Sequence, residues 1–296
     1  MKRVKVVTQN IQIGNVKVVP VFELDASEVI QDIIPDATVE RLQSMPWLQP
    51  HYVDQHWKLK AHVQSFVLEA GSKNVLVDAC IGNGRSRPEL VAWSNLQTQY
   101  LENLKKAGYK PEDVDLVICT HLHFDHVGWN TTLVDGKWLP TFPNARYIFV
   151  KDEYDYWMNN PIGELVDDLN GIAESVRPLA EAGLVDLVSP DAKIIDELSL
   201  IPTPGHTPHH VSVLIQSAGQ TGVITGDVFH HPCQIAHPEW MSFDSLPETA
   251  LATRRAFLDR FASSGAVVIN PHFAYPAWGI IERVDDNYIF TSAKER

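Results

Sequence analysis

The chain has 296 residues, 45% hydrophobic and 21% charged, with a formal net charge of −13 at pH 7. No window approaches the 18 or more apolar residues of a membrane span, and the acidity disfavours nucleic acid, whose phosphates call for clustered Lys and Arg. This is a globular composition without a low-complexity tract, Gly/Ser linker or internal repeat, so a soluble protein folded as one domain over 1–296 is expected.

Met1, Lys2, Arg3, Val4 and Lys5 carry positive charge with no apolar core or cleavage site behind them, and export is not expected. Residues 16–22 read as a strand, and Asp36 can cap a helix over 37–45. The segment 1–60, with its Trp-containing connector, is expected to form an N-terminal extension that serves as a pocket lid or as a contact in a homodimer. Residues 65–70 and 74–78 read as a hairpin across Gly71. Pro88 then opens a predicted helix over 89–107, with Leu90, Trp93, Leu96, Tyr100 and Leu104 on one stripe. The apolar run 114–120 reads as a buried strand, 146–150 as another, and two helices start near Glu153 and Gly163 and end near Gly183. Strands are predicted at 198–203, 210–216 and 222–228, a helix at 247–264, a buried strand at 266–270 and an edge strand at 279–291. Strands and helices alternate in two similar halves, which fits a layered α/β architecture with helices outside two facing sheets. Cys80, Cys119 and Cys233 lie far apart without C-x-x-C spacing, so inert buried thiols in a reducing cytoplasm are expected rather than disulfides or a zinc knuckle.

Chemistry concentrates directly after the strand at 114–120, where His121, His123, Asp125 and His126 fall within six residues. If the chain stays extended to His123, the two imidazoles share a face about 7 Å apart and converge on one ion. Asp125 and His126 follow at a turn, with Gly128 supplying backbone freedom, and would face a second ion. Further ligands should sit at other strand ends. His206 occupies a stiff Pro/Gly turn after a strand, Asp227 follows an apolar strand ending in Gly226 and could bridge two ions, and His272 follows the run at 266–270.

The ordered set His121, His123, Asp125, His126, His206, Asp227 and His272 resembles the metallo-β-lactamase superfamily pattern. The resemblance covers most of the chain and implies an αββα sandwich, two facing mixed sheets with helices on the outer faces and a dinuclear site between them. It implies His121, His123 and His206 on one metal, Asp125, His126 and His272 on the other, and Asp227 between the two. The spacing and the lack of a Cys ligand resemble the lactonase and organophosphate-hydrolase branches more than the antibiotic-degrading enzymes. Lactonases of that branch often place a Tyr three residues after the bridging Asp; this chain has His230 there, an imidazole able to donate to a substrate oxygen.

Among neighbouring residues, Asp78 ends a strand and reads as a structural acid or an outer-shell partner of a ligand, and His209 and His210 as strand or ligand-orienting residues. Trp47, Trp57, Trp129, Phe229, Phe273, Tyr275 and Trp278 flank motif loops or the connector; some could wall an apolar pocket, although burial in the core is the commoner use. Trp93 and Tyr100 read as core.

Two ions about 3.5–4 Å apart would lower the pKa of a shared water toward neutrality, polarise a substrate oxygen and stabilise a leaving oxygen, with Asp125 as proton carrier. The nitrogen and oxygen donor set suits zinc and also admits iron, manganese or cobalt. The expected activity is metal-dependent hydrolysis of a lactone or carboxyl ester, on an uncharged and partly apolar small molecule. Phosphotriester or thioester hydrolysis are neighbouring readings. An iron-dependent sulfur dioxygenase is the rival of another class, but a mononuclear iron site would leave Asp125 and His126 unused.

Overall fold

The computed structural model describes residues 9–159 and 164–292. The Met1 to Lys5 segment and the predicted helix start at Gly163 lie outside the described residues. Two mixed seven-stranded sheets carry the fold. The first runs in the spatial order Ile11–Ile13, Val16–Asp25, His62–Ala70, Lys73–Val77, Leu116–Ile118, Arg146–Val150 and Val185–Val188, and the last four strands are mutually parallel. The second runs Lys193–Ile195, Leu198–Pro202, Val211–Ser217, Gln220–Ile224, Val267–Ile269, Trp278–Val284 and Asn287–Ser292, with Gln220–Ile224 and Val267–Ile269 as its parallel pair.

Neighbouring strand residues point to opposite faces, so a run buried at every position is covered on both sides. Phe66, Val67 and Leu68, and Val75, Leu76 and Val77, are all buried, as are Val223 with Ile224 and Val268 with Ile269. The expected facing sheets clad by helices account for this. The sheets touch where the Gly14 turn meets the second: Gly14 donates its N–H to Gln220 at 2.8 Å, and a Cβ on Gly14 would lie 2.1 Å from the Ser217 carbonyl.

Several element boundaries differ from those predicted. The stripe at 89–107 is broken into a 3-10 turn, Val91–Trp93, and a short helix, Tyr100–Lys106. Ser94 accepts the Arg87 N–H on its hydroxyl, and Asn95, with φ 53°, donates its own N–H to the Arg85 carbonyl. These local bonds draw the chain out of the helix, as Ser and Asn often do. The helix predicted at 37–45 is only Val39–Leu42, and Thr38 rather than Asp36 caps it, accepting the Arg41 N–H on its hydroxyl; Asp36 instead pairs with the Arg41 side chain at 2.6 Å. The single edge strand predicted at 279–291 is a hairpin, Trp278–Val284 with Asn287–Ser292. The hairpin Thr131–Val134 with Lys137–Pro140 was not legible in the apolar pattern, because it is largely exposed and carries little burial signal. All three cysteines are buried and free, and burial pushes their thiols up, as expected for inert groups.

Glu23 clamps the first sheet to the loops below the site. Its buried carboxylate accepts from the Ile81 N–H at 2.7 Å, Gly82 N–H at 3.2 Å, Trp129 Nε1 at 2.6 Å and Thr98 Oγ1 at 3.0 Å. Burial pushes the Glu23 carboxyl up, and the four donors oppose that shift. Glu23→Ala strands buried donors, and a loss on the order of 3 kcal/mol is expected. For a chain of this size that lowers Tm by roughly 6–12 °C in calorimetry; an unchanged Tm would show that the clamp is dispensable.

Candidate metal centre

The centre forms where strands of both sheets end. Leu116–Ile118 lies between parallel neighbours, so its carboxyl end opens into a crevice of the kind in which α/β sheets gather ligands. Strand pairing stops at Ile118, earlier than expected, yet the backbone is still extended at His123 (φ −63°, ψ 152°), and the helix Phe124–Val127 then carries Asp125 and His126. Gly128 is required for close approach rather than for freedom: its backbone is right-handed helical, and a Cβ there would lie 1.8 Å from the Ile81 carbonyl. The parallel pair of the second sheet brings Asp227 and His272 beside each other. Gly226, at φ 53°, turns the chain into Asp227 where a Cβ would sit 2.5 Å from His210 Nε2. His206 enters from the loop between Leu198–Pro202 and Val211–Ser217.

All seven residues singled out in the sequence come together. His121 Nε2 lies 3.1 Å and His206 Nε2 2.9 Å from His123 Nδ1. His126 Nε2 lies 3.2 Å from His272 Nε2, and Asp125 Oδ2 is 3.8 and 3.7 Å from those two nitrogens. Asp227 divides its carboxylate between the groups. Its Oδ1 is 3.2 Å from both His126 Nε2 and His272 Nε2, whereas Oδ2 is 3.3 Å from His206 Nε2 and 3.8 Å from His121 Nε2. His230 joins them, with Nε2 3.1 Å from Asp227 Oδ2 and its ring stacked on His272.

The surrounding acceptors decide which ring nitrogens carry protons. Asp78 accepts from His126 Nδ1 at 2.9 Å and from the Thr120 hydroxyl at 3.0 Å, and the Thr120 oxygen in turn accepts from His121 Nδ1 at 3.0 Å. The His62 carbonyl accepts from His272 Nδ1 at 3.2 Å, and Asp244 stands 3.5 Å from His206 Nδ1. His121, His126 and His272 are thus held with Nδ1 outward and Nε2 inward, and His206 directs its Nε2 into the same cluster, although its Nδ1 has no hydrogen-bond partner among the described residues. Lone pairs about 3 Å apart around a buried carboxylate repel unless a cation lies among them, and Asp227 Oδ1 has no hydrogen-bond donor. The residues fit divalent metal ions at both groups.

Protonation follows the same logic. Burial first, then the positive field of His126, holds His121 well below the usual imidazole range, and burial likewise holds His206 well below it. Burial also opposes charge on His126, but Asp227, Asp125 and Asp78 together push it well above. The carboxylate side of the site thus attracts positive charge, which a metal supplies without a proton.

Sequence reading missed three residues that hold this arrangement. Glu153, buried in the first turn of Lys151–Met158, accepts from the Leu122 N–H at 3.3 Å, Thr207 Oγ1 at 3.0 Å, the His209 N–H at 3.2 Å and Trp157 Nε1 at 2.7 Å, so it ties the two histidine loops together. Asp244 is fixed at 2.8 Å by the buried Arg254. Asp168 accepts the Phe124 N–H at 3.0 Å, in the middle of the metal motif. All three lie on segments whose pattern gives no hint of which strand end they meet. His210 orients Asp227, accepting its N–H on Nε2 at 2.9 Å.

A cavity of about 790 Å³ opens over the centre. None of the seven aromatics considered as pocket walls lines it; Trp129, for example, stacks on Tyr100, and Phe273 meets Tyr52 and Phe290 edge-on. Trp93, Phe124, Tyr156 and Phe243 line it instead, with Trp93 on the 3-10 turn Val91–Trp93. Ala26, Val29, Ile30 and Ile33 bring the N-terminal segment to the same wall.

The metallo-beta-lactamase superfamily model matches residues 61–272, more than half of the chain, and the chain belongs to that superfamily. An N-acyl homoserine lactonase of Bacillus cereus is 31% identical over 114 residues, 38% of this chain and 38% of that protein. Metallo-beta-lactamase domain-containing protein 1 of Xenopus laevis is 29% identical over 167 residues, 56% of this chain and 58% of its own length. The match therefore spans less than two thirds of these curated relatives. Among solved structures, AidC, a dizinc quorum-quenching lactonase in complex with a product, shares the fold with a TM-score of 0.76 at 20% identity, over 96% of each chain. The hydrolase AbOPH of the beta lactamase superfamily superposes with a TM-score of 0.77 at 25% identity, also over 96% of each.

Asp78 touches both His126 and the Thr120 hydroxyl that orients His121. Its replacement by Ala should weaken metal affinity about 10- to 100-fold in a chelator competition. Affinity within twofold of the parent would reduce Asp78 to a structural acid.

Proposed function

We propose that the chain is a dinuclear metal-dependent hydrolase that opens a lactone or cleaves a carboxyl ester. The observation that carries this reading is the split carboxylate of Asp227, one oxygen toward His206 and His121 and the other toward His126 and His272. His121, His123 and His206 would hold one ion, Asp125, His126 and His272 the other, with Asp227 shared. The all-nitrogen and oxygen donor set suits zinc first and admits iron, manganese or cobalt. Bound there, two such ions supply an activated water at neutral pH and a Lewis acid for the acyl oxygen.

The chain's own groups divide the remaining work. Asp125 lines the cavity beside the two groups and is placed to take the proton released as water adds to the acyl carbon. It then returns that proton to the alkoxide as the C–O bond breaks. His230 is placed as a donor to the substrate oxygen, and Ser242 fixes its tautomer. Ser242 Oγ accepts from Arg254 Nη2 at 3.2 Å and Gln234 Nε2 at 3.4 Å, so its own proton goes to His230 Nδ1 at 2.9 Å. That leaves His230 Nε2–H directed inward. The same tautomer argues against His230 as a metal ligand, because its inward nitrogen carries a hydrogen. The largely apolar cavity suits an uncharged, partly apolar small molecule, and the N-terminal segment at its wall serves as the lid over it.

The test is a panel of acyl-homoserine lactones, aryl esters, thioesters and a phosphotriester, run with elemental analysis and oxygen uptake. Two metals per chain with lactone or ester turnover and no oxygen consumption are expected. One iron per chain with oxygen uptake would replace this reading by a sulfur dioxygenase-type reaction, and turnover confined to the phosphotriester or thioesters would move the substrate class. Asp125→Asn should keep its metal and lose about 10²- to 10⁴-fold in kcat; full turnover with intact metal would remove Asp125 from proton transfer. His230→Phe should lower kcat by about 10- to 1000-fold at unchanged metal content, whereas loss of a metal would make His230 a ligand.

A further inference from the structure

Helix Val166–Ser175 lies along the single helical turn, Phe124–Val127, that carries Asp125 and His126. The approach is close: a Cβ on Gly171 would lie 2.9 Å from the Phe124 Cβ. Near the end of that helix, Glu174 reaches two arginines with one oxygen, Oε2, which is 3.3 Å from Arg85 Nη1 and 3.0 Å from Arg87 Nη1. Each arginine holds one end of the turn. Arg85 Nη2 donates to the Gly128 carbonyl, directly after Val127, and to the Thr131 carbonyl at 2.8 Å. The Arg87 guanidinium covers the ring of Phe124, 5.0 Å from its centre, and Trp93 meets the same ring edge-on. Phe124 stands between His123 and Asp125 and lines the cavity.

Stability alone does not account for Arg87. Both arginines are buried, and Glu174 is the one carboxylate paired with either among the described residues, so the cluster holds two cations against one anion. Arg87 Nε and Nη2 also have no acceptor among the described residues. Burying a cation in this way is costly. Removing Arg87 leaves Arg85 and Glu174 as a balanced pair, and an apolar side chain of similar length fills the space, a replacement that is often neutral or stabilising. What Arg87 supplies is a flat cationic face against Phe124, a contact for which Lys is no substitute.

We propose that Arg87 is a positioning residue for the candidate metal centre. By holding the Phe124 ring it fixes the backbone from His123 to Asp125, and with Arg85 at Gly128 it keeps Asp125 and His126 aimed at His272, 3.7 and 3.2 Å away. A misplacement of about 1 Å at a reacting centre costs about 100-fold in rate. The effect on turnover rests on the hydrolase reading above; the effect on the backbone does not.

The test is Arg87→Met in the metal-loaded protein. At the parent's metal content, Tm is expected to stay within about 2 °C of the parent or to rise. On whichever lactone or ester the parent turns over, kcat should fall about 10- to 100-fold. Hydrogen exchange reads the backbone directly. The Phe124 and His126 N–H groups, bonded to Asp168 and to the His123 carbonyl, should exchange about tenfold faster, with the strand amides at 75–77 unchanged. A lowered Tm with faster exchange throughout the fold would make Arg87 a structural residue, and a variant unchanged in both exchange and kcat would equally overturn the proposal. Phe124→Leu removes the ring and leaves Arg87. If Arg87 acts through that ring, adding Arg87→Met to Phe124→Leu should cost less than about twofold in kcat or exchange, whereas multiplied losses would count against it. Arg87→Lys serves should the Met variant fail to fold: it keeps a cation beside Glu174 without the flat face, and full kcat with parental exchange would sink the proposal. Should the parent turn over no lactone or ester, the hydrolase reading falls, and exchange and Tm still decide the role of Arg87.

Discussion

Asp227 presents one carboxylate oxygen to each of two imidazole groups, and the rest of the structure serves to hold it there. A buried carboxylate among imidazole nitrogens draws positive charge to both sides of it in a dry protein interior. The strain is kept in place from outside. His210 accepts the Asp227 N–H, Gly226 clears the space for that contact, and Asp78, at a left-handed φ of 57°, receives the protons of the opposite wall. Unusual backbone geometry at the edge of such a centre is where strain is commonly stored.

Buried acids outside the centre act as connectors between elements that are remote in sequence. Glu23 joins a strand to the loop at 81–82 and to Trp129, and Glu153 joins the loop of His121 and His123 to that of His206. Asp244 and Arg254 form a buried pair that reaches His206 and Ser242 together. Each carboxylate is satisfied by several donors, the condition under which a buried charge positions its neighbours instead of disrupting them. Ligand geometry and the His230 tautomer thus depend on one connected network, which turns the Nδ1 atoms of His121, His126 and His272 outward to acceptors and their Nε2 atoms inward.

How much of this was legible in the sequence varies by residue. His121, His123, Asp125 and His126 were visible because four candidate ligands crowd one strand end, and His206, Asp227 and His272 because each follows an apolar run or a Pro/Gly turn. The two-sheet architecture was visible because its central strands, such as 75–77, 223–224 and 268–269, are continuous apolar runs, as sheets buried on both faces require. The helix at 89–107 was misread because its apolar spacing is genuine while Ser94 and Asn95 offer the backbone better partners from Arg87 and Arg85. Periodicity records which residues are buried and not which hydrogen bonds win locally.

The sequence by itself therefore determined the donors and the order in which strands deliver them, since these follow from residue type and from apolar runs along one chain. Tertiary structure alone decided the two oxygens of Asp227, the inward Nε2 atoms and the bond from Phe124 to Asp168. It also chose Trp93, Phe124 and Phe243 over the aromatics that flank the motifs as walls of the cavity. Those features arise where segments dozens to hundreds of residues apart meet, such as His62 with His272 and Asp168 with Phe124. The direction of a proton or lone pair there is set by a partner that no local pattern specifies.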